Sequence, residues 1–262
     1  MSHSYAPRVA VNRSHDGATP PQYDLGRILG VWAAAALPMA ALSWLVAPAL
    51  AAWLDGPTAW PRALVACLTA GLVWQGVLVL VLVRRETGTL RWRAIADALW
   101  LHRPRSPRTG RVGGRVWWVL VPAVLVVGLE QVLPSLPAPV GRDLGEFLRS
   151  TTGHDFLSGN WPWFAVIVAM ALFNTVLGEE LLFRGLLLPR MRGVFGRADW
   201  LANGVLFAVY HLHMPWVIPT ALLDSLALAY PSRRYRSAWL GIVVHSVQSV
   251  LIVGATLALV LR

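Results

Sequence analysis

The chain has 262 residues, of which 56% are hydrophobic and only 14% charged, and its mean hydropathy is +0.55. Several uncharged apolar runs reach the ~20 residues that a helix needs to cross a bilayer, which excludes an ordinary water-soluble domain. All 23 basic residues are arginines, the net charge is +10, and the arginines cluster between the apolar runs. They indicate membrane topology and contacts with anionic lipids, not contacts with nucleic acid. We therefore expect an all-α, polytopic transmembrane helical bundle.

The chain begins with a polar segment and two predicted spans. Residues 1–26 contain prolines but no apolar h-region, which indicates a flexible cytoplasmic tail and not a cleavable signal peptide. The first span is predicted from about Ile28 to Trp53, with kinks at Pro38 and Pro48. The second runs from about Ala63 to Val83. It contains the only cysteine, Cys67, so an intrachain disulfide is impossible.

An arginine-rich connection follows the second span. Residues 84–115 contain nine arginines and only two acids, Glu86 and Asp97. Within this connection, residues 90–101 alternate arginines with Trp and Leu, which predicts an amphipathic helix at the membrane interface. An ordinary surface connector is the alternative interpretation.

The remaining predicted elements follow in chain order. They are a third span over Val116–Leu133, a near-neutral loop over 134–160 with a short helix near Leu144–Leu148, a fourth span from Trp161, a fifth from Asp199, a sixth over Trp216–Tyr230 and a last over Ala238–Leu261. Pro215 and Pro219 leave open whether spans five and six are one broken helix. About seven spans result, or eight. We divide the chain into the tail, N-terminal helices over 27–160 and a catalytic core over 161–262.

The distribution of arginine fixes a predicted orientation. With a cytoplasmic N-terminus, the basic loops at 84–115, 190–197 and 233–236 all lie inside, and the arginine-poor loops lie outside. Tryptophans flank the spans, where an aromatic belt is expected. The predicted location is a bacterial-type plasma membrane.

The fourth span carries charges inside an apolar run. Glu180 and Arg184 are four residues apart on one helix face, in the order that favours an ion pair. Glu179 points roughly 100° away and has no partner on its own helix. Because a charge in the bilayer core is costly, such a residue is by default a functional candidate, here a general base.

Two histidines on later helices are predicted to lie at a depth similar to that of Glu179. At 1.5 Å per residue, Glu179 lies ~15 Å from the cytoplasmic end of its helix, His211 ~18 Å and His245 ~10 Å. The similar depth of these three side chains predicts a site built from three helices. His213 is a reserve candidate. Interhelical hydrogen bonding or an interfacial position is the expected role of the remaining polar residues in spans, which are Gln75, Glu130, Asn174 and Asp224.

Three motifs resemble those of a known family. Residues 179–185, Glu-Glu-Leu-Leu-Phe-Arg-Gly, resemble the Glu-Glu-x-x-Phe-Arg-Gly motif of the CPBP (Abi or CAAX) intramembrane proteases, which include type II CAAX prenyl endopeptidases. Phe207 to His211 resembles their Phe-x-x-x-His motif. His245 to Ser249 lies where His-x-x-x-Asn or Asp belongs.

The resemblance implies an endopeptidase that cleaves membrane-associated or lipid-modified proteins near the cytoplasmic face. Glu179 and His211 would activate water, and His245 with Ser249 would stabilise the oxyanion. Glu180, Arg184 and Phe207 would support the site. A zinc ion held by Glu179, His211 and His245 is one mechanism, and a metal-free glutamate mechanism is the other.

Ser249 departs from the family pattern, because a hydroxyl stands where the family has an amide or a carboxylate. Gln248 is a neighbouring substitute for the missing amide. A weakly active or inactive scaffold or immunity-type protein of the same fold is therefore the alternative to a protease. A transporter is disfavoured by the lack of internal repeats.

Overall fold

The computed structural model describes residues 20–130, 136–139 and 141–262, except for the side chain of Glu130. Every regular element in these residues is helical, which confirms the predicted all-α class. Most of the predicted tail, residues 1–19, lies outside the described residues. The end of the predicted third span, residues 131–133, also lies outside them.

The helices follow the predicted segmentation closely. In chain order they are α1 (Leu25–Ala51), α2 (Ala59–Thr87), α3 (Trp92–Ala98), α4 (Gly114–Leu129), α5 (Leu144–Arg149), α6 (Thr151–Leu157), α7 (Trp161–Arg190), α8 (Arg192–Phe195), α9 (Asp199–Tyr210), α10 (Ile218–Tyr235) and α11 (Ala238–Val260). Among the described residues, α1, α2, α7 and α11 are long and apolar enough to cross a bilayer. The chain is an integral membrane protein, and the count of seven or eight spans stays a prediction.

The region around Pro215 forms a helical hairpin. Helix α9 has 12 residues and ends at a 3₁₀ turn over His211–His213. At 1.5 Å per residue it is about 18 Å long, which is shorter than the ~30 Å hydrocarbon core. Helix α10 then returns beside α9, and the Ser225 hydroxyl donates to the Gly204 carbonyl at 2.9 Å. The proline therefore separates two packed helices.

Close approaches at glycines hold α2 against its neighbours. A Cβ added to Gly76 would lie 3.2 Å from the Leu177 carbonyl oxygen of α7, and one added to Gly178 would lie 3.0 Å from that of Leu72. Small residues let helices in a bilayer approach closely enough for van der Waals attraction to stabilise the bundle. Helix α2 thus supports the part of α7 that carries the acidic pair.

The arginine-rich connection packs against the bundle through one face of α3. Ala96, Ala98 and Leu99 are buried, whereas Trp92 is 62% exposed. This two-sided pattern agrees with an amphipathic helix, although α3 is shorter than predicted. Its location at the membrane interface stays a prediction.

A buried ion pair joins the ends of α2 and α7. Arg190 is fully buried, and its Nη2 donates to Glu86 Oε2 at 2.6 Å while its Nη1 donates to the Ala98 carbonyl at 3.0 Å. The Tyr23 hydroxyl and the Arg27 guanidinium also donate to Glu86. The Glu86 carboxylate therefore joins the chain segment before α1, the arginine-rich connection and the end of α7.

Candidate active site

Helix α7 changes its winding around the acidic pair. π-helical turns cover Phe173–Gly178 and Leu181–Leu187, on either side of Glu179 and Glu180. A Cβ on Gly178 would lie 2.6 Å from the Phe173 carbonyl oxygen, so this winding requires a residue without a side chain. π-helical turns inside helices occur frequently at functional sites. Both carboxylates point into the bundle, where Glu179 is 3% exposed and Glu180 is fully buried.

Glu180 binds two partners through one oxygen. Its Oε1 accepts from Arg184 Nη1 at 2.9 Å, which is the ion pair that the four-residue spacing predicted. The same oxygen lies 3.1 Å from His245 Nδ1 on α11. Because a carboxylate accepts, this contact places a hydrogen on Nδ1 and fixes the ring's orientation. Glu180 is therefore a positioning residue for His245, a role that its sequence spacing did not reveal.

The other ring nitrogen of His245 faces Glu179. The distance from Nε2 to Glu179 Oε2 is 4.0 Å, longer than a direct hydrogen bond. His245 is 7% exposed, so this pair of groups lies inside the bundle. The structure thus brings together two of the three predicted catalytic residues from α7 and α11.

Tyr210 and Gln75 complete the surroundings of Glu179. The Tyr210 hydroxyl lies next to the Glu179 carboxylate and accepts from Gln75 Nε2 at 2.6 Å. Tyr210 and Gln75 are both fully buried. Sequence reasoning assigned Gln75 to interhelical bonding and did not consider Tyr210. The only sequence feature that pointed to Tyr210 was its position beside His211.

His211 and Arg184 both contact the ring of Phe207. Its Nδ1 is 3.0 Å from the Phe207 carbonyl oxygen, which can only accept, so Nδ1 carries hydrogen and Nε2 carries the lone pair. The Phe207 ring centroid is 5.1 Å from that of His211 and 6.1 Å from that of His245. The Arg184 guanidinium carbon lies 4.1 Å from the Phe207 centroid. Phe207 therefore contacts groups of all three motifs.

The two polar residues near the end of the third motif have different environments. Gln248 Nε2 donates to Asp224 Oδ2 at 3.0 Å, which links α11 to α10. Ser249 is 9% exposed and lines a cavity together with Glu179. In this structure Gln248 makes an interhelical bond, and Ser249 is the residue of the pair that meets the cavity.

The cavity beside Glu179 has a volume of about 160 Å³ and a mostly apolar wall. Glu179, Ser249, Asn174 and His213 supply its polar atoms, and the apolar lining is Met39, Leu68, Leu72, Leu144, Ile167, Met170, Ala171, Met214 and Ile252. His213, the reserve candidate, is 4% exposed, and its Nδ1 has no hydrogen-bond partner among the described residues. An apolar pocket with a few convergent polar groups is typical of a binding site.

The residues do not form a metal site. No group of three or more His, Cys, Asp or Glu among the described residues is placed to hold a metal ion. The facing atoms of two candidate ligands, Glu179 Oε2 and His245 Nε2, are 4.0 Å apart. Zinc ligands lie ~2.0–2.2 Å from the ion, which requires closer donors. The metalloprotease interpretation is not supported by this arrangement.

Comparison with known proteins gives one finding for this region. Residues 160–251 match the family model described as type II CAAX prenyl endopeptidase Rce1-like. No curated protein and no solved structure matches the chain. The matched segment contains Glu179, His211 and His245. Residues 160–251 therefore carry the signature of the Rce1-like type II CAAX prenyl endopeptidases, which confirms the resemblance to the CPBP proteases.

Proposed function

We propose that this chain is an intramembrane endopeptidase that hydrolyses a peptide bond in a membrane-associated or lipid-modified protein. The observation that carries the proposal is the buried pair of Glu179 and His245. Glu179 Oε2 and His245 Nε2 are 4.0 Å apart and come from different helices. Glu180 Oε1 lies 3.1 Å from the other ring nitrogen of His245, Nδ1. This pair lies inside the segment that matches the endopeptidase family.

The arrangement supports attack by water on the substrate carbonyl. Glu179 takes a proton from the water as its oxygen bonds to the carbonyl carbon, with His211 Nε2 as a second acceptor. The proton passes to the leaving amine when the carbon–nitrogen bond breaks. In its imidazolium form His245 donates from Nε2 to the oxyanion while Glu180 holds Nδ1, and the Ser249 hydroxyl is the second donor.

One feature favours a second candidate, a membrane scaffold of the same fold with weak or no activity. A serine hydroxyl at position 249 supplies a single, shorter donor where the family pattern has an amide or a carboxylate. The loss of one oxyanion donor typically lowers the rate ~10²–10³-fold. A chain that binds membrane proteins without cleaving them would follow from such a loss.

The test is cleavage of a library of membrane-proximal peptides by purified wild type, Glu179→Ala and His211→Ala. His154→Ala, a histidine in α6 that lies outside the site, is the matched control. We expect the wild type and the control to cleave and the two site variants to be inactive while folded. Absence of cleavage by the wild type, with or without added metal, would favour the scaffold. Inhibition by a chelator with rescue by zinc would contradict the metal-free mechanism.

A further inference from the structure

The three arginine-rich loops lie on one face of the bundle. The Arg105 amide donates to the Tyr235 carbonyl at 3.0 Å, and the Ala238 amide donates to the Trp100 carbonyl at 3.0 Å. Arg190 pairs with Glu86 at 2.6 Å. Loop 84–115 therefore contacts both loop 190–197 and loop 233–236. By the positive-inside rule this face is cytoplasmic.

The bundle is tightly packed between this face and the acidic pair. Leu182, Phe183, Leu186 and Leu187, which follow the pair toward the arginine-rich face, are all fully buried. Leu99 of the arginine-rich connection covers Gly185, where an added Cβ would lie 3.3 Å from the Leu99 Cβ and carbonyl oxygen. The segment of α7 between Glu179 and the cytoplasmic face is thus packed closely against its neighbours.

The cavity extends from Glu179 in the opposite direction. Its wall includes Leu144 at the start of α5, Met214 from the turn between α9 and α10, and Ile252, one turn beyond Ser249. On α7, the cavity-lining Ile167 and Met170 are nearer to the start of the helix at Trp161 than to its end. These residues all lie on the side of Glu179 away from the arginine-rich loops. Ile252 is 48% exposed, so the wall reaches the surface of the bundle.

We propose that Glu179 is reached from the non-cytoplasmic side of the membrane. Resting on the proposed function, the substrates are then proteins whose scissile segment lies in the outer half of the bilayer or beyond it. An extended peptide would place an apolar side chain against the three cavity methionines, Met39, Met170 and Met214, whose flexible side chains adapt to varied shapes. The family resemblance led us to expect cleavage near the cytoplasmic face, and the cavity's position argues for the opposite face.

Cysteine labelling tests this access without requiring activity. The chain has a single native cysteine, so Cys67→Ala provides a cysteine-free background. Met214→Cys reports the cavity mouth, Ser158→Cys the exposed loop before α7, and Thr109→Cys the arginine-rich loop. Each variant is treated with a membrane-impermeant maleimide in intact cells, in permeabilised cells and in detergent. The same set is repeated with Glu179→Gln to separate access from catalysis.

We expect Met214→Cys and Ser158→Cys to react in intact cells and Thr109→Cys only after permeabilisation. Reaction of Met214→Cys only after permeabilisation, together with Thr109→Cys, would overturn the proposal. Reaction of Thr109→Cys in intact cells would overturn the orientation on which it rests, and lack of reaction of Met214→Cys even in detergent would show that the cavity is closed. The expected labelling without peptide cleavage would refute the proposed function and leave the access route intact.

Discussion

Gly241→Ala should disrupt the centre of the candidate site from a position on α11 one turn before His245. A Cβ at this position would lie 2.3 Å from Glu180 Oε2, 3.1 Å from Arg184 Cγ and 3.2 Å from the Ser232 hydroxyl oxygen. The first contact is the critical one, because Glu180 is fully buried and its other oxygen binds both Arg184 and His245. The carboxylate cannot turn away without losing at least one of these partners.

The size of the effect follows from the overlap. Ordinary van der Waals contact begins near 3.4 Å, so Glu180 or α11 must move by about 1 Å. Overpacking a core typically costs ~1–3 kcal/mol, and separating a buried ion pair costs ~3–5 kcal/mol when one partner is removed. We expect a loss of about 2–4 kcal/mol in unfolding free energy. A displacement of about 1 Å at His245 should also lower cleavage by roughly 10².

The matched control is Gly254→Ala on the same helix. A Cβ at Gly254 meets nothing within 4 Å, so this change tests the effect of alanine in α11 without the clash. Thermal unfolding in detergent, followed by tryptophan fluorescence, and peptide cleavage are measured for both variants. Equal melting temperatures and equal rates in the two variants would refute the close approach of Gly241 to Glu180.

Three further changes test the ion pairs and the oxyanion donor. Glu86→Gln removes the carboxylate partner of the fully buried Arg190 and should cost about 3 kcal/mol relative to the exposed control Glu146→Gln, as measured by thermal unfolding. Tyr23→Phe should cost about 1 kcal/mol. Burial and the hydrogen bond to Glu86 raise the pKa of Tyr23 from 10.0 to about 12, so its contribution is complete below pH 10 and is lost only as the pH rises through 12. The difference in melting temperature between wild type and this variant should therefore be constant from about pH 7 to 9, and a decline within that range would contradict the raised pKa. Ser249→Ala should lower kcat at least ~10-fold with little change in melting temperature, whereas an unchanged kcat would exclude the hydroxyl as an oxyanion donor.

Much of the helical framework was predictable because the length of each apolar run can be read directly from the sequence. The spans beginning near Ile28, Ala63, Trp161 and Ala238 correspond to α1, α2, α7 and α11. The short helix predicted near Leu144–Leu148 also corresponds to α5. The number of spans was harder to predict, because hydropathy does not distinguish a crossing helix from a short helix such as α9 that stops inside the bundle.

The similar depth of Glu179 and His245 on different helices predicted that they share a site, but individual contacts were predictable only where spacing on one helix decides them. The ion pair of Glu180 and Arg184 follows from their i,i+4 relation. The second role of Glu180, its contact with His245, depends on how α11 packs on α7 at Gly241, and a single sequence does not encode that distance in any local pattern. The same holds for Tyr210, whose proximity to Glu179 depends on how α9 packs on α7. Gln248 was placed near the site by position alone, but the structure turns it toward Asp224.

The most direct test of the central claim compares Glu179→Gln with Glu146→Gln in one assay. Both changes replace a carboxylate with its amide, but Glu179 is buried beside His245 whereas Glu146 is exposed in α5. Single-turnover cleavage of a membrane-anchored peptide is measured in lipid nanodiscs with each purified variant. If Glu179 activates the attacking water, its variant should lose ~10²–10⁴ in rate while the control cleaves like wild type. Cleavage by Glu179→Gln at a rate near that of the control would contradict the assignment of Glu179 as the catalytic base.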